Sequence, residues 1–411
     1  MSNSIVADRI ATYLRSHFKR AENHLVGMEV EHICIRTIDA GRIAYDSGGG
    51  CVLDVLQSLQ GRLGGEKAEV DGRWVGLNGE WGKVTLEPGN QIEWSSPPRS
   101  TCHQLINDLD RWLMQFKSVL RDLGLMSLPE GYDTTSIRHV PQSPGRRYEL
   151  MCEHYASKDD VAHKAMFNTA GIHVNFDCSD DLDWQKKFRL MLLASPVAIA
   201  IFANSPGHLN GSRYVAVRPV LWRNMDPERC QLPADVFRDD FSLDDYARWI
   251  ADRPMLLSQR DSVLHLGSGQ SLAERFPDGD VSQNALELHL GSIFTPVRIN
   301  GPLEVRTIDT QPDDRLGAVS AFWSGLLNHA PTLDQTLDLL WSAETADDWS
   351  NLLIRACRFG RHDPELSRQS HELLDLAFQG LRAREGSDSA GVSRLSCLSD
   401  TGASTAIVRN A

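Results

Sequence analysis

Gly27-Met28-Glu29-Val30-Glu31 sets apolar and acidic side chains on alternate positions. In a strand successive side chains point to opposite faces, so Glu29 and Glu31 share one side while Met28 and Val30 share the other. The same period of two recurs along the chain. Gln91 and Glu93 flank Ile92, His173 and Asn175 flank Val174, and Glu304 and Arg306 flank Val305. A fifth run, Tyr214-Val215-Ala216-Val217-Arg218, ends on a guanidinium. One apolar face and one charged face is the pattern of an antiparallel sheet covered on one side. A single strand of this kind is most often just a solvated face. The residue types here argue for more, because Glu recurs on three strands with His, Asn and Arg on others. Gathered carboxylates repel one another unless cations sit among them. The pattern predicts a polar basin that binds metal ions and charged substrate together.

Composition bounds the alternatives. The chain has 411 residues, a formal net charge of -13 and 41% hydrophobic residues, enough for one large domain or two modest ones. The acidic balance argues against non-specific nucleic-acid binding, which needs basic groups to neutralise phosphates. It leaves room for a small anionic substrate held through magnesium and local arginines. Eight cysteines lie scattered without CxxC spacing, which disfavours structural zinc. With no signal peptide at the start, the expected location is the cytoplasm. The most apolar stretch, residues 188–203, carries Arg189, Ser195 and Pro196 and reads as a buried helix rather than a membrane span.

Helical spacing predicts an opening amphipathic helix and longer ones over about 101–123, 184–203, 316–327 and 332–384. Gly48-Gly49-Gly50 lacks a following Gly-Lys-Ser/Thr and reads as a turn before a helix near 52–59. Residues 73–96 read as hairpin-like, and Arg146-Arg147-Tyr148-Glu149 as part of a loop. Strands and helices interleave irregularly, which predicts an α+β fold. The expected layout is one domain over 1–385 with a helical C-terminal section, then a disordered Ser/Gly/Ala-rich tail over 386–411.

Several segments in order resemble the glutamate–cysteine ligase family, particularly its plant-type branch. They are Gly27-Met28-Glu29-Val30-Glu31, Leu86-Glu87-Pro88-Gly89-Asn90-Gln91-Ile92-Glu93, Gly145-Arg146-Arg147-Tyr148-Glu149, Phe202-Ala203-Asn204-Ser205-Pro206, Arg218-Pro219-Val220-Leu221-Trp222, Leu303-Glu304-Val305-Arg306 and Ala321-Phe322-Trp323-Ser324-Gly325. The resemblance covers residues 26–384. It implies a glutamine-synthetase-like fold, in which a curved, mainly antiparallel sheet forms a funnel flanked by helices. It also implies ATP- and Mg2+-dependent joining of the glutamate γ-carboxylate to the cysteine amine through a γ-glutamyl phosphate.

By the same resemblance, Glu29, Glu31, Glu87, Glu93 and Glu304 are metal ligands, and Arg306 contacts the transferring phosphoryl group with Glu31 and Glu304 beside it. Arg218 and Trp222 match a glutamate pocket, and His173, Asn175 and Arg147 lie near substrate. Each of these residues has a plainer reading. A lone strand Glu fits an exposed carboxylate, Arg306 an ion pair within the sheet, Trp222 core packing, His173 a structural role and Arg147 a solvated surface. Two departures bear on the acceptor: Trp94-Ser95-Ser96-Pro97-Pro98 follows the Glu93 strand, and Pro254-Met255-Leu256-Leu257 lacks the family's aromatic. A γ-glutamyl ligase with another amine acceptor, or an inactive regulatory homologue, therefore stands beside the first reading.

Overall fold

The computed structural model describes residues 2–156, 160–340, 345–384 and 388–398. Eight strands form the main sheet: β1 (Val26–His32), β2 (Glu66–Val70), β3 (Arg73–Gly79), β4 (Gly82–Leu86), β5 (Ile92–Ser95), β6 (Gly171–Phe176), β7 (Val297–Ile299) and β8 (Leu303–Asp309). Their spatial order is β7-β8-β6-β1-β5-β4-β3-β2, and every neighbouring pair is antiparallel. Strands far apart in sequence, β1, β6 and β8, are thereby neighbours at the centre.

One face of the sheet is apolar. Met28, Val30, Val84, Ile92, Trp94, Ile172, Val174, Leu303 and Val305 are all buried. Helices Cys102–Asp122, Asp181–Ile201 and Asp313–Leu327 cover that face. The helix Asp181–Ile201 contains Pro196, which has no N–H for the carbonyl of Leu192 one turn back. The indole of Trp349 donates to that carbonyl instead, at 2.7 Å, and ties the C-terminal helices to the core.

The other face is roofed by shorter helices, Arg146–Tyr155, Asp160–Asn168 and Arg218–Met225. Two expectations fail here. Arg218 does not end a strand: the strand stops at Tyr214, and Arg218 opens a helix. The amides of Val215 and Ala216 are spent on the carbonyl of Cys357, and Pro219 in the first turn presets the helical backbone. Arg146 and Arg147 likewise begin a helix rather than sit in a loop. Gln91 precedes β5 rather than sharing a face with Glu93.

The C-terminal expectation also changes. Residues 389–396, expected within a disordered tail, form the helix Ser389–Ser396, with Gly391 and Leu395 buried against the C-terminal bundle. Asp388 just before it accepts the amide of Cys102 and an Arg384 guanidinium bond. These contacts supply the apolar and polar partners that composition alone concealed. Residues 386–387 and 399–411 of that expectation lie outside the described residues.

The helices Asp313–Leu327 and Pro364–Ala383 touch backbone to backbone at Gly325 and Gly380, where a Cβ on Gly380 would lie 1.8 Å from the Gly325 carbonyl oxygen. Gly380→Ala should force the helices apart and lower stability by about 1–3 kcal/mol. Denaturant midpoints read this out, and an unchanged midpoint would refute the close crossing.

Candidate active site

Register decides what the polar face carries. Glu29 of β1 stands opposite His173 of β6 on one side and Ser95 of β5 on the other, while Glu31 faces Glu93. Thr85 and Lys83 of β4 extend these rows. On the far side Glu304 stands opposite Asn175 and Arg298. A cavity of about 300 Å³ lies over this surface, lined by Glu29, Glu31, Glu87, Glu93, His173 and Arg306 among others. Its roof is Arg147, Tyr148 and Met151 of one helix, Met166 of the next and Trp222 of the third. The sheet's charged residues therefore converge on one enclosed basin.

Glu87 is on the β4–β5 connection, and its placement depends on buried polar groups. Asn90 takes a left-handed backbone (φ 58°) in this turn. The Gln91 side chain accepts from the Gly89 amide and donates to the carbonyls of Met166 and Thr169. Arg42, itself paired with Asp133, donates to the carbonyl of Gly89. These contacts fix the loop so that Glu87 points into the basin.

His173 is the hub. It is 2% exposed, with Nδ1 2.9 Å from Glu29 Oε2 and 3.5 Å from Glu304 Oε1, and Nε2 3.7 Å from Glu31 Oε1. Two trios, Glu29–His173–Glu304 and Glu31–Glu93–His173, each offer three donor atoms within 4.8 Å of one another. The carboxylates of these sets suit a hard divalent cation such as Mg2+, whose preferred donors are oxygens, with the imidazole as the softer member. The electrostatics agree with that fit. Burial and the charge of Glu31 push Glu87 up to about 7, and burial with Glu29 raises Glu93 well above the usual range. Glu304 differs: burial raises it, but Arg298, Arg306 and His173 outweigh this and hold it well below the usual range.

The substrate residues read from sequence separate into groups. Arg147, Trp222 and His173 are on the basin wall. Arg147 donates to the Gly291 carbonyl at 2.9 Å, and the Trp222 indole donates to Thr169 Oγ1 at 3.1 Å. Asn175 is not on the wall, and donates to Glu29 Oε1. Arg218 lies behind His173 rather than on the wall. Its guanidinium donates to the carbonyls of Arg306 and Ile308, at the register shift between Val305 and Ile308. Arg218 instead lines a small neighbouring void of about 40 Å³, shared with Trp222, Phe294 and Arg306, and its Nε has no hydrogen-bond partner.

Sequence reasoning missed Lys83, Thr85, Tyr148 and Arg298. Lys83 and Thr85 alternate with Val84 and Leu86, and Arg298 with Val297 and Ile299, so the period-two rule could have found them. Their facing partners come only from the register.

The raised carboxyls give a pH signature. Between the ordinary carboxylate range and about 7, the folded metal-free protein keeps on Glu87 a proton that the unfolded chain has lost. Raising pH through that window therefore lowers stability. Glu304, depressed, works in the opposite sense, and only as pH falls below the ordinary range. The denaturant midpoint of metal-free protein should fall between about pH 5 and about pH 7, and millimolar magnesium should remove the slope. A flat profile without metal would contradict the crowding of these carboxyls.

Comparison with known proteins accords with this arrangement. The family model for glutamate-cysteine ligase family 2 matches residues 25–406. Glutamate–cysteine ligase B, chloroplastic, of Oryza sativa subsp. japonica is 30% identical over 93% of this chain and 79% of its own length. The chloroplastic enzyme of Arabidopsis thaliana is 30% identical over 92% of this chain and 74% of its own. The cytoplasmic location expected from the start of the sequence is thereby corrected, since the named relatives are chloroplastic enzymes. Among solved structures, a glutamate–cysteine ligase from Francisella tularensis in complex with AMP superposes with TM-score 0.55 at 12% identity, covering 93% of this chain and 82% of that one. A bifunctional glutathione synthetase from Pasteurella multocida gives 0.52 at 13% identity, and this chain spans 49% of its length. These two likenesses bear on fold, and the fold is the α+β, glutamine-synthetase-like one expected. No helix among the described residues is long and apolar enough to cross a membrane. With its acidic strands, Glu87 loop and Glu304–Arg306 strand meeting in one basin, the chain belongs to glutamate–cysteine ligase family 2.

Proposed function

We propose that this chain is an ATP-dependent ligase that joins the γ-carboxylate of glutamate to the amine of cysteine, giving γ-glutamylcysteine for glutathione or a related thiol. The observation that carries the reading is the gathering of Glu29, Glu31, Glu87 and Glu93 with Arg306 in one cavity, beside Glu304, in a chain of this family. A carboxylate is a poor acyl donor to an amine, so it is first phosphorylated by ATP. The amine then attacks the γ-glutamyl phosphate and phosphate leaves.

The residues meet the requirements of that chemistry. Bringing two anions together needs positive charge, and magnesium held by Glu29, Glu31, Glu87, Glu93 and Glu304 would neutralise and align the phosphates. His173 joins those donors in both trios, a role added to the substrate contact read from sequence. Arg306 faces the same cavity and keeps its proton: burial opposes this, but Glu304 and Glu29 outweigh it. Its charge suits the oxygens of the transferring phosphoryl group. Arg147 on the roof reaches the same space. Arg218 and Trp222 bound the glutamate end, where the unpartnered Nε of Arg218 is free for a carboxylate oxygen. We read residues 1–398 as a single catalytic domain.

A second reading keeps the activation step and changes the amine. It is favoured by Pro254-Met255-Leu256-Leu257, where Leu256 is buried and absent from the basin wall.

Glutamate-dependent ADP release with magnesium, run with cysteine and a panel of other amines and with products identified by mass, tests the first reading. Preferred release with cysteine is expected, and coupling of another amine would transfer the assignment to the second. Glu304→Gln should abolish ADP release while the fold is kept, and full activity would remove Glu304 from the metal set. Arg218→Ala should raise the glutamate KM well above any change in the ATP KM, because a buried charged pair is worth about 2–5 kcal/mol. A selective rise in the ATP KM would refute the pocket.

A further inference from the structure

Glu304 has two carboxylate oxygens with different surroundings. Oε2 receives the Arg298 Nε–H at 2.6 Å, while Arg298 Nη2 makes a longer bond to Oε1 at 3.4 Å. Oε1 faces the cluster: His173 Nδ1 is 3.5 Å away and an Arg306 N–H also reaches it. Arg298 is not placed by its own strand alone. It is the register partner of Glu304 across the β7–β8 hairpin, whose turn contains Gly301 at φ 92°. A third bond, from its NH1 to the carbonyl of Ile293 at 3.0 Å, fixes the far end of the guanidinium. Arg298 also lines the basin.

We propose that Arg298 is a positioning residue, which fixes the carboxylate plane of Glu304 so that Oε1 is presented to the donor cluster with Glu29 and His173. The inference rests on the metal-dependent reading above and assigns a residue outside its ligand set. A carboxylate free to rotate offers either oxygen, or both, to a cation. With the carboxylate plane held by a planar fork whose short bond goes to Oε2 and which is itself tied to Ile293, Oε1 is the oxygen directed at the trio, so Glu304 is presented in a fixed plane. Arg306 does not set that plane, because it sits two residues along the same strand and meets Oε1 alone, whereas Arg298 spans both oxygens. The two arginines thus divide between them: Arg298 serves the ligand, and Arg306 serves the space beyond it.

Direct titration of the purified full-length chain with Mn2+, followed by electron paramagnetic resonance without substrates, tests this apart from turnover. Arg298→Ala and Arg298→Lys should each weaken Mn2+ binding about 10–100-fold, because a lysine keeps the charge but not the fork. The KM values for glutamate and ATP at saturating metal should stay within about threefold, with the loss appearing in kcat. Unchanged Mn2+ affinity in either folded variant overturns the proposal. A large rise in one substrate KM with metal affinity intact also overturns it, making Arg298 a direct substrate ligand. If the unsubstituted protein binds no Mn2+, the metal reading of the basin falls first and this inference falls with it. If Arg298→Ala does not fold, Arg298→Lys carries the test.

Discussion

Mutual repulsion among carboxylates is the constraint on which the rest of this molecule depends. Glu29, Glu31, Glu87 and Glu93 face one cavity, with Glu304 beside them. Two like charges at about 4 Å repel by ~4 kcal/mol at an effective dielectric near 20. Several such pairs rival the net stability of a domain, so the fold keeps them together only by protonating some and compensating others. Glu87 and Glu93 follow the first course, and Glu304 follows the second through Arg298, Arg306 and His173. On the metal-dependent reading proposed above, a cation entering the basin would relieve this repulsion.

The architecture around the basin can be understood as support for this cluster. A rigid sheet, buried on its other face against long helices, holds the carboxylates at fixed spacing, which loops alone would not do. Where the ladder must break, at the bulge after Val305, the guanidinium of Arg218 takes up the carbonyls of Arg306 and Ile308. The Glu87 loop, the one acidic contributor off a strand, is compensated by buried contacts from Gln91, Arg42 and Ser143. Polar groups outside the basin thus set the geometry of those that line it.

Much of this was legible in the sequence because the side-chain period of a strand is two whatever its neighbours are. That rule placed Glu29, Glu31, Glu93, His173, Asn175, Glu304 and Arg306 on one face, and the family resemblance added Glu87. The rule failed where tertiary contacts overrode local propensity. Tyr214-Val215-Ala216-Val217 has strand-forming residues, yet the amides of Val215 and Ala216 pair with Cys357 from a distant helix, and Pro219 starts a helix at Arg218. The Ser/Gly/Ala-rich segment after residue 386 lacked apolar residues, but the few it has, such as Leu395, find a groove between helices already in place.

The sequence by itself determined which side chains share a face of each strand, because alternation is a property of the single chain. It also determined the family, through several short segments in a fixed order. Only the tertiary structure decided which strand lies beside which, and so which charges meet. Glu31 stands opposite Glu93, Glu29 opposite His173, and Arg298 opposite Glu304, through pairings that span from 6 to 144 residues of chain. Electrostatics falls off with distance in space and is indifferent to distance along the chain. The perturbed carboxyls, the donor trios and the anchored carboxylate of Glu304 therefore exist only once the sheet has formed.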